Sequence, residues 1–366
     1  MRILVIGGTG FIGRYVVEGL ILRGHHVTVY HRGRSQAGRQ AAAGEILGDR
    51  TDLPNHIREF ERLAPEIVLD TIPSSGRQAE ALMNTFRGIA GRVVALSSQD
   101  VYRACGILHG LEPGPLQPLP LTEDSDLRTR LNTYPPETVR ALKEIFAWLD
   151  DEYDKIPVEQ AVMGDSQLPG TVLRLPMVYG PGDPLHRCFP ILKRIDDGRR
   201  AILIPEDAAR WRGPRGYVEN VAAGIVLAVT APDAAGRIYN LAEPEAFSEI
   251  EWAEKICHAA RWHGTVIAVP ADEAPAHLRV RSRYEQYWVV NSDRIRRELG
   301  YSEPVASEVA LERTIVWERA NPRPKSTPNS STTLPKTTLW PALAVRPRPR
   351  NSSVSNSPCF IHSKVR

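Results

Sequence analysis

A short apolar strand followed at once by closely spaced glycines constrains the fold of this chain more than any other stretch. Residues Ile3 to Ile6 form the strand, and an amphipathic helix from Phe11 to Arg23 and a second strand from His26 to Tyr30 complete a βαβ unit. The glycines between the first strand and the helix are Gly7, Gly10 and Gly13. An ordinary strand-turn-helix of a flavodoxin-like fold is the alternative interpretation of this pattern.

The glycine spacing predicts a binding loop for the pyrophosphate of a dinucleotide. In such loops the first glycine adopts the positive φ of a tight turn, the second lets the backbone approach the phosphates, and the third lets the helix lie close to the strand. The helix N-terminus then directs free N–H groups at the anion. We expect the following residues to contact the cofactor: Gly7, Thr9, Gly10, Phe11, Ile12 and Gly13.

Strands and helices continue to alternate, which predicts an α/β protein with a doubly wound parallel Rossmann sheet and a smaller α/β C-terminal substrate lobe. We expect a dinucleotide-binding domain over 1–175, interrupted by a proline-rich insertion over about 103–149, with residues 215–242 returning to it. A substrate lobe is predicted over 176–319. Ligands of such sheets lie at the carboxyl ends of the strands.

Charge is unevenly distributed along the 366 residues. Eight of the 46 Lys and Arg residues lie in 320–366, which has no Asp or Glu, so 1–319 carries 38 basic against 43 acidic residues. A mildly acidic body gives no electrostatic case for nucleic-acid binding. The segment 320–366, rich in Pro, Ser, Thr, Asn and Arg, is predicted to be disordered.

Composition favours a cytoplasmic protein that does not enter a membrane. Apolar residues make up 42% and charged residues 24% of the chain, and no apolar run approaches the roughly 18 residues of a membrane span. The cysteines are scattered without metal-ligand spacing, so we expect reduced thiols and no metal site. They are Cys105, Cys188, Cys257 and Cys359.

The second strand ends without an acidic residue, which bears on cofactor choice. Sites that prefer NAD place Asp or Glu there for the ribose 2′-hydroxyl, whereas a nearby Arg accepts the 2′-phosphate of NADP. Arg32 and Arg34 follow the strand, so NADP is preferred over NAD, although the two arginines also fit a solvated loop. Asp49 and Arg50, after a short third strand, are expected to meet the adenosine half.

Three motifs together resemble the extended short-chain dehydrogenase/reductase superfamily, in its NAD-dependent epimerase/dehydratase family. They are the loop Gly7 to Gly13, the segment Ser97 to Tyr102 after the fifth strand, and Leu173 to Gly182. The resemblance covers about 1–318. It implies a small-molecule substrate such as a nucleotide sugar or related polyol, a homodimer, Pro176 beside the nicotinamide, and Ser98 as hydrogen-bond partner of the reacting oxygen. A turn-forming hydroxyl is the alternative role for Ser98.

The chain departs from this family at its catalytic Tyr and Lys, which normally lie four residues apart so that the ammonium lowers the pKa of the phenol. Lys155 matches the family's lysine because Glu159 follows it, but Asp151 stands at the tyrosine position and Tyr153 is displaced by two residues. In a helix, residues two apart point about 200° away from each other. We expect Pro157 to begin the helix, leaving extended chain before it in which Tyr153 and Lys155 share a face.

Two functions remain open from the sequence. The first is an NAD(P)-dependent oxidoreductase or isomerase that uses Ser98, Tyr153 and Lys155 as catalytic residues, with Lys155 also binding the nicotinamide ribose. Tyr134 and Asp151 are the next candidates for the proton donor. The second is a dinucleotide-binding sensor or scaffold of the same fold with little catalytic activity, which the displaced tyrosine favours.

Overall fold

A seven-stranded parallel sheet organises the protein, for which the computed structural model describes residues 1–34, 41–279 and 282–323. The strands of this part of the chain are, in order, β1 (Arg2–Ile6), β2 (His26–His31), β3 (Gly44–Leu47), β4 (Ile67–Asp70), β5 (Arg92–Ser98), β6 (Gly170–Leu175), β7 (Met177–Tyr179), β8 (Ala201–Pro205), β9 (Arg215–Tyr217), β10 (Ile238–Asn240) and β11 (Thr265–Val269). The large sheet has the order β10-β6-β5-β4-β1-β2-β3, with every pairing parallel. The predicted doubly wound fold is confirmed.

The helices connect successive strands and cover the sheet. They are α1 (Phe11–Leu22), α2 (Ile57–Leu63), α3 (Gly76–Phe86), α4 (Arg103–Leu108), α5 (Pro136–Ile145), α6 (Lys155–Met163), α7 (Phe189–Asp196), α8 (Glu206–Arg210), α9 (Val218–Thr230), α10 (Glu249–Ala259), α11 (Asp293–Leu299) and α12 (Ser307–Ala320). Short 3₁₀ segments lie at Arg50–His56, Gln99–Val101, Pro232–Ala234 and Ala276–Leu278. No helix of the described ranges combines the length and apolar character needed to cross a bilayer.

Two apolar layers hold the helices on opposite faces of the sheet. On one face α1 packs against α9, so that Val17 and Leu20 join Val226 in one buried cluster with the sheet. On the other face α3 packs against α6, and Phe86 and Val158 belong to a second buried cluster. Within the segment 215–242, β10 pairs with β6 and α9 packs on α1, and the division of the chain into two domains stays a prediction.

The strand order places a crevice beside β1. From β1 the chain proceeds to β2 and β3 in one direction and from β4 to β5 and β6 in the other, so the order reverses between β1 and β4. Parallel pairing brings the carboxyl ends of β1, β2, β4 and β5 to one edge, where Ile6, His31, Asp70 and Ser98 end their strands. A doubly wound sheet binds its ligand at such a reversal point.

The insertion and the lobe contain more regular structure than the sequence analysis predicted. Within 103–149, which was predicted as a proline-rich insertion, the chain forms the helices α4 and α5. The lobe has two small parallel sheets, in which β8 pairs with β11 and β7 with β9. Of the predicted tail, Ala320 ends α12, and residues 324–366 lie outside the described residues.

A buried ion pair ties β6 to α6 behind the crevice. Arg174 is 2% exposed and donates from Nε and Nη2 to the two oxygens of Glu159, at 3.0 and 2.8 Å. Ser97 donates to the same carboxylate at 2.6 Å, and Arg174 donates also to the hydroxyl of Tyr102 at 3.0 Å. Because each charge has several partners, removing one partner leaves the other without adequate solvation.

Glu159→Gln is expected to lower the free energy of unfolding by about 3 kcal/mol, because it leaves a buried guanidinium without a counter-charge. The matched control is Glu206→Gln, which breaks the exposed pair Arg210–Glu206 and is expected to cost less than about 1 kcal/mol. Urea unfolding of the three proteins measures the difference. Equal midpoints for the two variants would contradict this account.

Candidate active site

A cleft of about 890 Å³ opens at the carboxyl edge of the sheet. The loop after β1 forms its floor, the ends of β2 and β3 form one end, and residues 143–151, here called the cover segment, form its outer wall. Gly182, Pro184, Trp317 and Asn321 close it from the side of the lobe and the C-terminal helix. The predicted glycine loop and the segments that follow β1, β2, β3 and β4 therefore line one cavity.

The glycines of the loop are required for different reasons. Gly7 has φ +81°, and a Cβ there would lie 2.5 Å from Thr71 Oγ1. At Gly13 a Cβ would lie 2.6 Å from the carbonyl oxygen of Gly7, which is backbone and cannot move aside. At Gly10 the nearest atom is the same oxygen at 3.4 Å, an ordinary contact. Gly7 and Gly13 are thus required by packing, whereas the space beside Gly10 is open cleft.

The N-terminus of α1 is suited to an anion. The helix has 12 residues, its N-cap is Gly10 without a side-chain hydrogen bond, and its first turn has no acidic residue. Free N–H groups and the positive end of the helix dipole therefore face the cleft. The chain fits the pyrophosphate of a dinucleotide here.

Arg14 was not anticipated at this site. Its guanidinium donates to the carbonyl oxygen of Pro181 and, at 3.0 Å, to the hydroxyl of Tyr15, and it lines the cleft. The contact joins the glycine loop to the loop after β7. An arginine directly after the last glycine of the motif was the available signal in the sequence.

Arg32 lies at the cleft end nearest β2. Its Nη1 donates to the carbonyl oxygen of Ala147 in the cover segment at 3.3 Å, and lies 3.9 Å from a carboxylate oxygen of Asp49. His31 occupies the last position of β2 and pairs with Glu45 at 3.3 Å. Arg34 also lines the cleft. The strand end therefore presents two cations and no acidic side chain of its own to a ribose.

Asp49 and Arg50 line the same end of the cleft, but their side chains have other partners. The carboxylate of Asp49 accepts from the backbone N–H and the hydroxyl of Thr51, at 3.0 and 2.8 Å, and these bonds lower its pKa. Arg50 forms a buried pair with Asp70, donating from Nη1 at 2.6 Å. Arg50 thus fixes the end of β4 in this structure, and its contact with a cofactor stays a prediction.

The cover segment runs across the outside of the cleft. Phe146 and Trp148 pack on each other with ring centroids 5.5 Å apart, and both line the cavity. Asp150 anchors the segment to the start of α3, accepting from the hydroxyl of Ser75 at 3.0 Å and from Arg77 at 2.9 Å. A dinucleotide in the cleft would therefore lie between the glycine loop and these aromatic rings.

Lys155 begins α6, which corrects the prediction that Pro157 would be the first helical residue. Asp154 caps the helix by accepting from the N–H of Ile156 at 2.9 Å, and Pro157 is tolerated at the third position because the first four N–H groups need no carbonyl partner. The ammonium of Lys155 donates to the carbonyl oxygens of Pro73 and, at 3.1 Å, Leu96. Burial lowers its pKa to about 8.

Tyr153 precedes the cap and is held by Asp100 rather than by Lys155. Its hydroxyl donates to Oδ2 of Asp100 at 3.0 Å, whereas Lys155 Nζ lies 5.8 Å from the centre of its ring. Burial, followed by the nearby Asp100 carboxylate, raises the pKa of the phenol well above its ordinary value. The expectation that Lys155 lowers this pKa is wrong for the arrangement seen here.

Ser98 ends β5 beside these groups. Its Oγ accepts from the backbone N–H of Asp100 at 3.2 Å, so the hydroxyl caps the turn that follows the strand. The hydroxyl proton is still available to donate to a substrate oxygen. Ser98, Tyr153 and Lys155 thus meet around the end of β5 through contacts with Asp100 and Leu96, and their catalytic roles stay predictions.

Two further predicted residues lie apart from this cluster. Pro176 packs against Gly216, where a Cβ would lie 2.8 Å from its Cγ, and is not part of the described cleft wall. Asp151 is exposed and pairs with Lys143 at 2.6 Å. The proposed contact of Pro176 with the cofactor and the candidacy of Asp151 as a proton donor both stay predictions.

A second cavity, of about 130 Å³, lies in the lobe. Apolar side chains such as Ile202 and Trp252 line most of it, together with Arg187, Arg194 and Arg215. Arg215 pairs with Glu249, and Arg187 donates to Asp183 at 2.9 Å. Met177, which follows β6, connects this cavity to the end of the sheet.

A glycine-loop cleft at the reversal point of a parallel sheet defines the class: an NAD(P)-dependent enzyme with a Rossmann fold. The chain belongs to the NAD dependent epimerase/dehydratase family, whose model matches residues 3–242. The resemblance noted in the sequence is thereby confirmed, and with it the assignment as an oxidoreductase or epimerase that uses a nicotinamide dinucleotide.

Relatives of known activity are reductases. The chain is 25% identical over 287 residues to 2'-dehydrokanamycin reductase of Streptomyces kanamyceticus, covering 76% of this chain and 72% of that protein. It is 27% identical over 293 residues to 3-diazoavenalumate denitrifying reductase of a Streptomyces species, covering 77% and 86%. Among solved structures, UDP-glucose 4-epimerase of Thermotoga maritima with UDP-glucose has a TM-score of 0.62 at 18% identity, covering 87% and 99%, which supports the fold.

Gly10→Val is expected to abolish dinucleotide binding with little change in melting temperature, because its side chain enters open cleft where the pyrophosphate would lie. Gly13→Ala is the matched contrast, since its Cβ meets backbone at 2.6 Å and should lower the melting temperature. Titration with NADPH, followed by tryptophan fluorescence, and thermal unfolding distinguish the two. Unchanged affinity in Gly10→Val would show that the loop does not hold the cofactor.

Proposed function

We propose that this protein is an NAD(P)-dependent oxidoreductase that acts at a carbonyl or hydroxyl carbon of a nucleotide sugar or a related polyol. The observation that carries the proposal is the convergence of Ser98, Tyr153 and Lys155 at the end of β5, beside the glycine-loop cleft. The bound dinucleotide supplies or accepts the hydride. The side chains of this chain bind the reacting groups and move the proton.

Each residue of the cluster has a role that its contacts permit. Lys155 uses two carbonyl oxygens as fixed partners, which leaves its third N–H for the ribose of the nicotinamide half. Ser98 donates its hydroxyl proton to the reacting oxygen while its own oxygen caps the turn. Tyr153 gives a proton to that oxygen during reduction, and accepts it during oxidation.

The cofactor preferred by the cleft is NADP. Arg32 and Arg34 lie where the ribose of the adenosine half would be, and Lys143 lines the same cleft from the cover segment. The side chain at the end of β2 is His31, which cannot accept two ribose hydroxyls as a carboxylate does. A 2′-phosphate would replace Ala147 as a partner of Arg32, gaining a charge-assisted hydrogen bond.

A substrate with a phosphorylated or strongly polar half is supported by the lobe cavity. Arg194, whose guanidinium donates to the carbonyl oxygen of Pro190, retains further donors there. The cavity of about 130 Å³ has room for one ring-sized group. The structurally similar epimerase with UDP-glucose supports a nucleotide sugar as the substrate class. The two reductase relatives support net reduction as the reaction.

The proposal also covers the cellular compartment and the oligomeric state of the protein. Cys105, Cys188 and Cys257 are buried and free, which supports a reducing compartment, the cytoplasm. The homodimer expected for the family stays a prediction that sedimentation of the purified protein checks.

Tyr153→Phe is expected to lower kcat by about 10² or more with the dissociation constant of the dinucleotide unchanged, since only the proton-carrying oxygen is removed. The matched control is Tyr134→Phe, which removes a phenol bonded to the same carboxylate oxygen but only 8% exposed, and should change kcat less than about tenfold. Steady-state kinetics on nucleotide sugars and keto sugars measures both.

The opposite pattern, with Tyr134→Phe inactive and Tyr153→Phe active, would assign the proton donor to Tyr134. Firm dinucleotide binding without turnover of any such substrate by the wild type would instead favour the sensor or scaffold function. The first outcome would mean that the proton donor was assigned to the wrong residue. The second would mean that the proposed activity is wrong.

Arg32→Ala is expected to weaken NADPH binding about tenfold or more and to leave NADH binding nearly unchanged, because it removes a charged donor to the 2′-phosphate. The control is Arg58→Ala, which removes an exposed arginine of α2 outside the cleft wall. Fluorescence titration with both cofactors gives, for each of the two variants, the ratio of its dissociation constant to that of the wild type. Tighter binding of NADH than NADPH by the wild type would contradict the preference.

A further inference from the structure

Asp100 stands at the centre of the catalytic cluster with an unusual set of partners. It is 2% exposed, and its Oδ2 accepts from two phenols, Tyr134 and Tyr153, each at 3.0 Å. The two rings stack with centroids 5.5 Å apart. Its other carboxylate oxygen, Oδ1, is buried without a hydrogen-bond partner among the described residues.

The cations near Asp100 do not bond to its carboxylate. Arg128 donates from Nε to the backbone carbonyl oxygen of Asp100, and its Nη atoms donate to the carboxylate of Asp154 at 3.1 and 3.3 Å. The ammonium of Lys155 is occupied by carbonyl oxygens. Among the described residues, the buried thiol of Cys105 also faces Asp100. If Asp100 were ionised in this setting, its Oδ1 would carry charge without solvent or a hydrogen-bond donor. Burial of this kind favours the protonated form of the carboxyl.

The two phenols differ in their access to a substrate. Tyr134 is 8% exposed and belongs to an apolar cluster with Val139 and Leu149. Tyr153 packs against the same cluster but is only half-buried. Tyr153 is therefore the more accessible of the two phenols and the better placed to pass a proton between Asp100 and a bound molecule.

We propose that Asp100 is a positioning residue that stores the proton for Tyr153. Lys155, whose ammonium is bonded to carbonyl oxygens, does not bond to this phenol. The proposal rests on the oxidoreductase function proposed above. Burial raises the pKa of Asp100, and the nearby Arg128 opposes that rise without bonding to the carboxyl. The heavy-atom separation of 3.0 Å between Asp100 and Tyr153 suits a hydrogen bond in either direction.

The proton balance closes with the groups present. During reduction the carbonyl oxygen of the substrate gains the phenol proton of Tyr153, as hydride arrives at carbon. The phenolate oxygen then takes the proton from Oδ2 of Asp100, which leaves a carboxylate that both phenols stabilise as donors. Solvent returns the proton to Asp100 after the product leaves, and oxidation runs the same transfers in reverse.

This role gives a defined pH dependence. Reduction requires protonated Asp100, so kcat is high below the pKa of that carboxyl and falls as the pH rises through it. Asp100→Asn keeps the size of the side chain and an acceptor for the phenols but carries no exchangeable acid. We expect it to lower kcat by about 10² or more, to remove that fall with pH, and to leave dinucleotide affinity unchanged.

An infrared measurement tests the stored proton without turnover. The wild-type protein at neutral pH is expected to show the carbonyl stretch of a protonated carboxyl, which is lost in Asp100→Asn. Tyr153→Phe should shift that band, because it removes a partner from the same oxygen. The Tyr153→Phe spectrum keeps the test decisive if Asp100→Asn does not fold.

Either of two results would overturn the proposal: no protonated-carboxyl band assigned to Asp100, or an Asp100→Asn enzyme with unchanged kcat and pH profile. If the wild type turns over no substrate at all, the proposed function fails, and the infrared band still decides whether Asp100 holds a proton shared with Tyr153.

Discussion

Parallel pairing of β1 with β2 on one side and β4 on the other is the constraint on which the rest of this structure depends. It fixes the reversal of strand order, and it brings Ile6, His31 and Asp70 to one edge. The loop after β1 then turns within that edge, where Gly7 and Gly13 avoid contacts that a Cβ would make. The open end of α1 follows from this turn, and so does the place that we propose for the anionic part of the cofactor.

Behind this edge, ionisable groups are buried in pairs. Arg50 with Asp70, Arg128 with Asp154, and Arg174 with Glu159 each lie in the interior with several hydrogen bonds. Such pairs add little net stability, but removing one partner is costly, so they fix relative positions of the segments that carry them. Asp100 differs because no cation of the described residues bonds to its carboxyl, and our proposal of a stored proton starts from this difference.

The elements predicted correctly are those whose signal is local. The strand, glycine turn and helix at the start of the chain, and the alternation of strands and helices after them, need only short stretches of sequence. The partnership of Asp100 with Tyr134 and Tyr153 joins residues 34 and 53 positions apart, so no spacing rule could reveal it. The same holds for the lobe strands β8 and β11, which pair over a long separation. Pro157 misled because the rule that places proline first in a helix also permits it at the third position.

Transfer of deuterium from NADPH labelled at the reacting nicotinamide carbon tests the central claim most directly. The labelled cofactor is incubated with the protein and a panel of nucleotide sugars and keto sugars. The masses of the products are then measured by mass spectrometry. We expect a keto sugar of the panel to give a product that carries one deuterium, because the reduced cofactor delivers its label to a carbonyl carbon. Tight binding of NADPH with no deuterium in any product would contradict it.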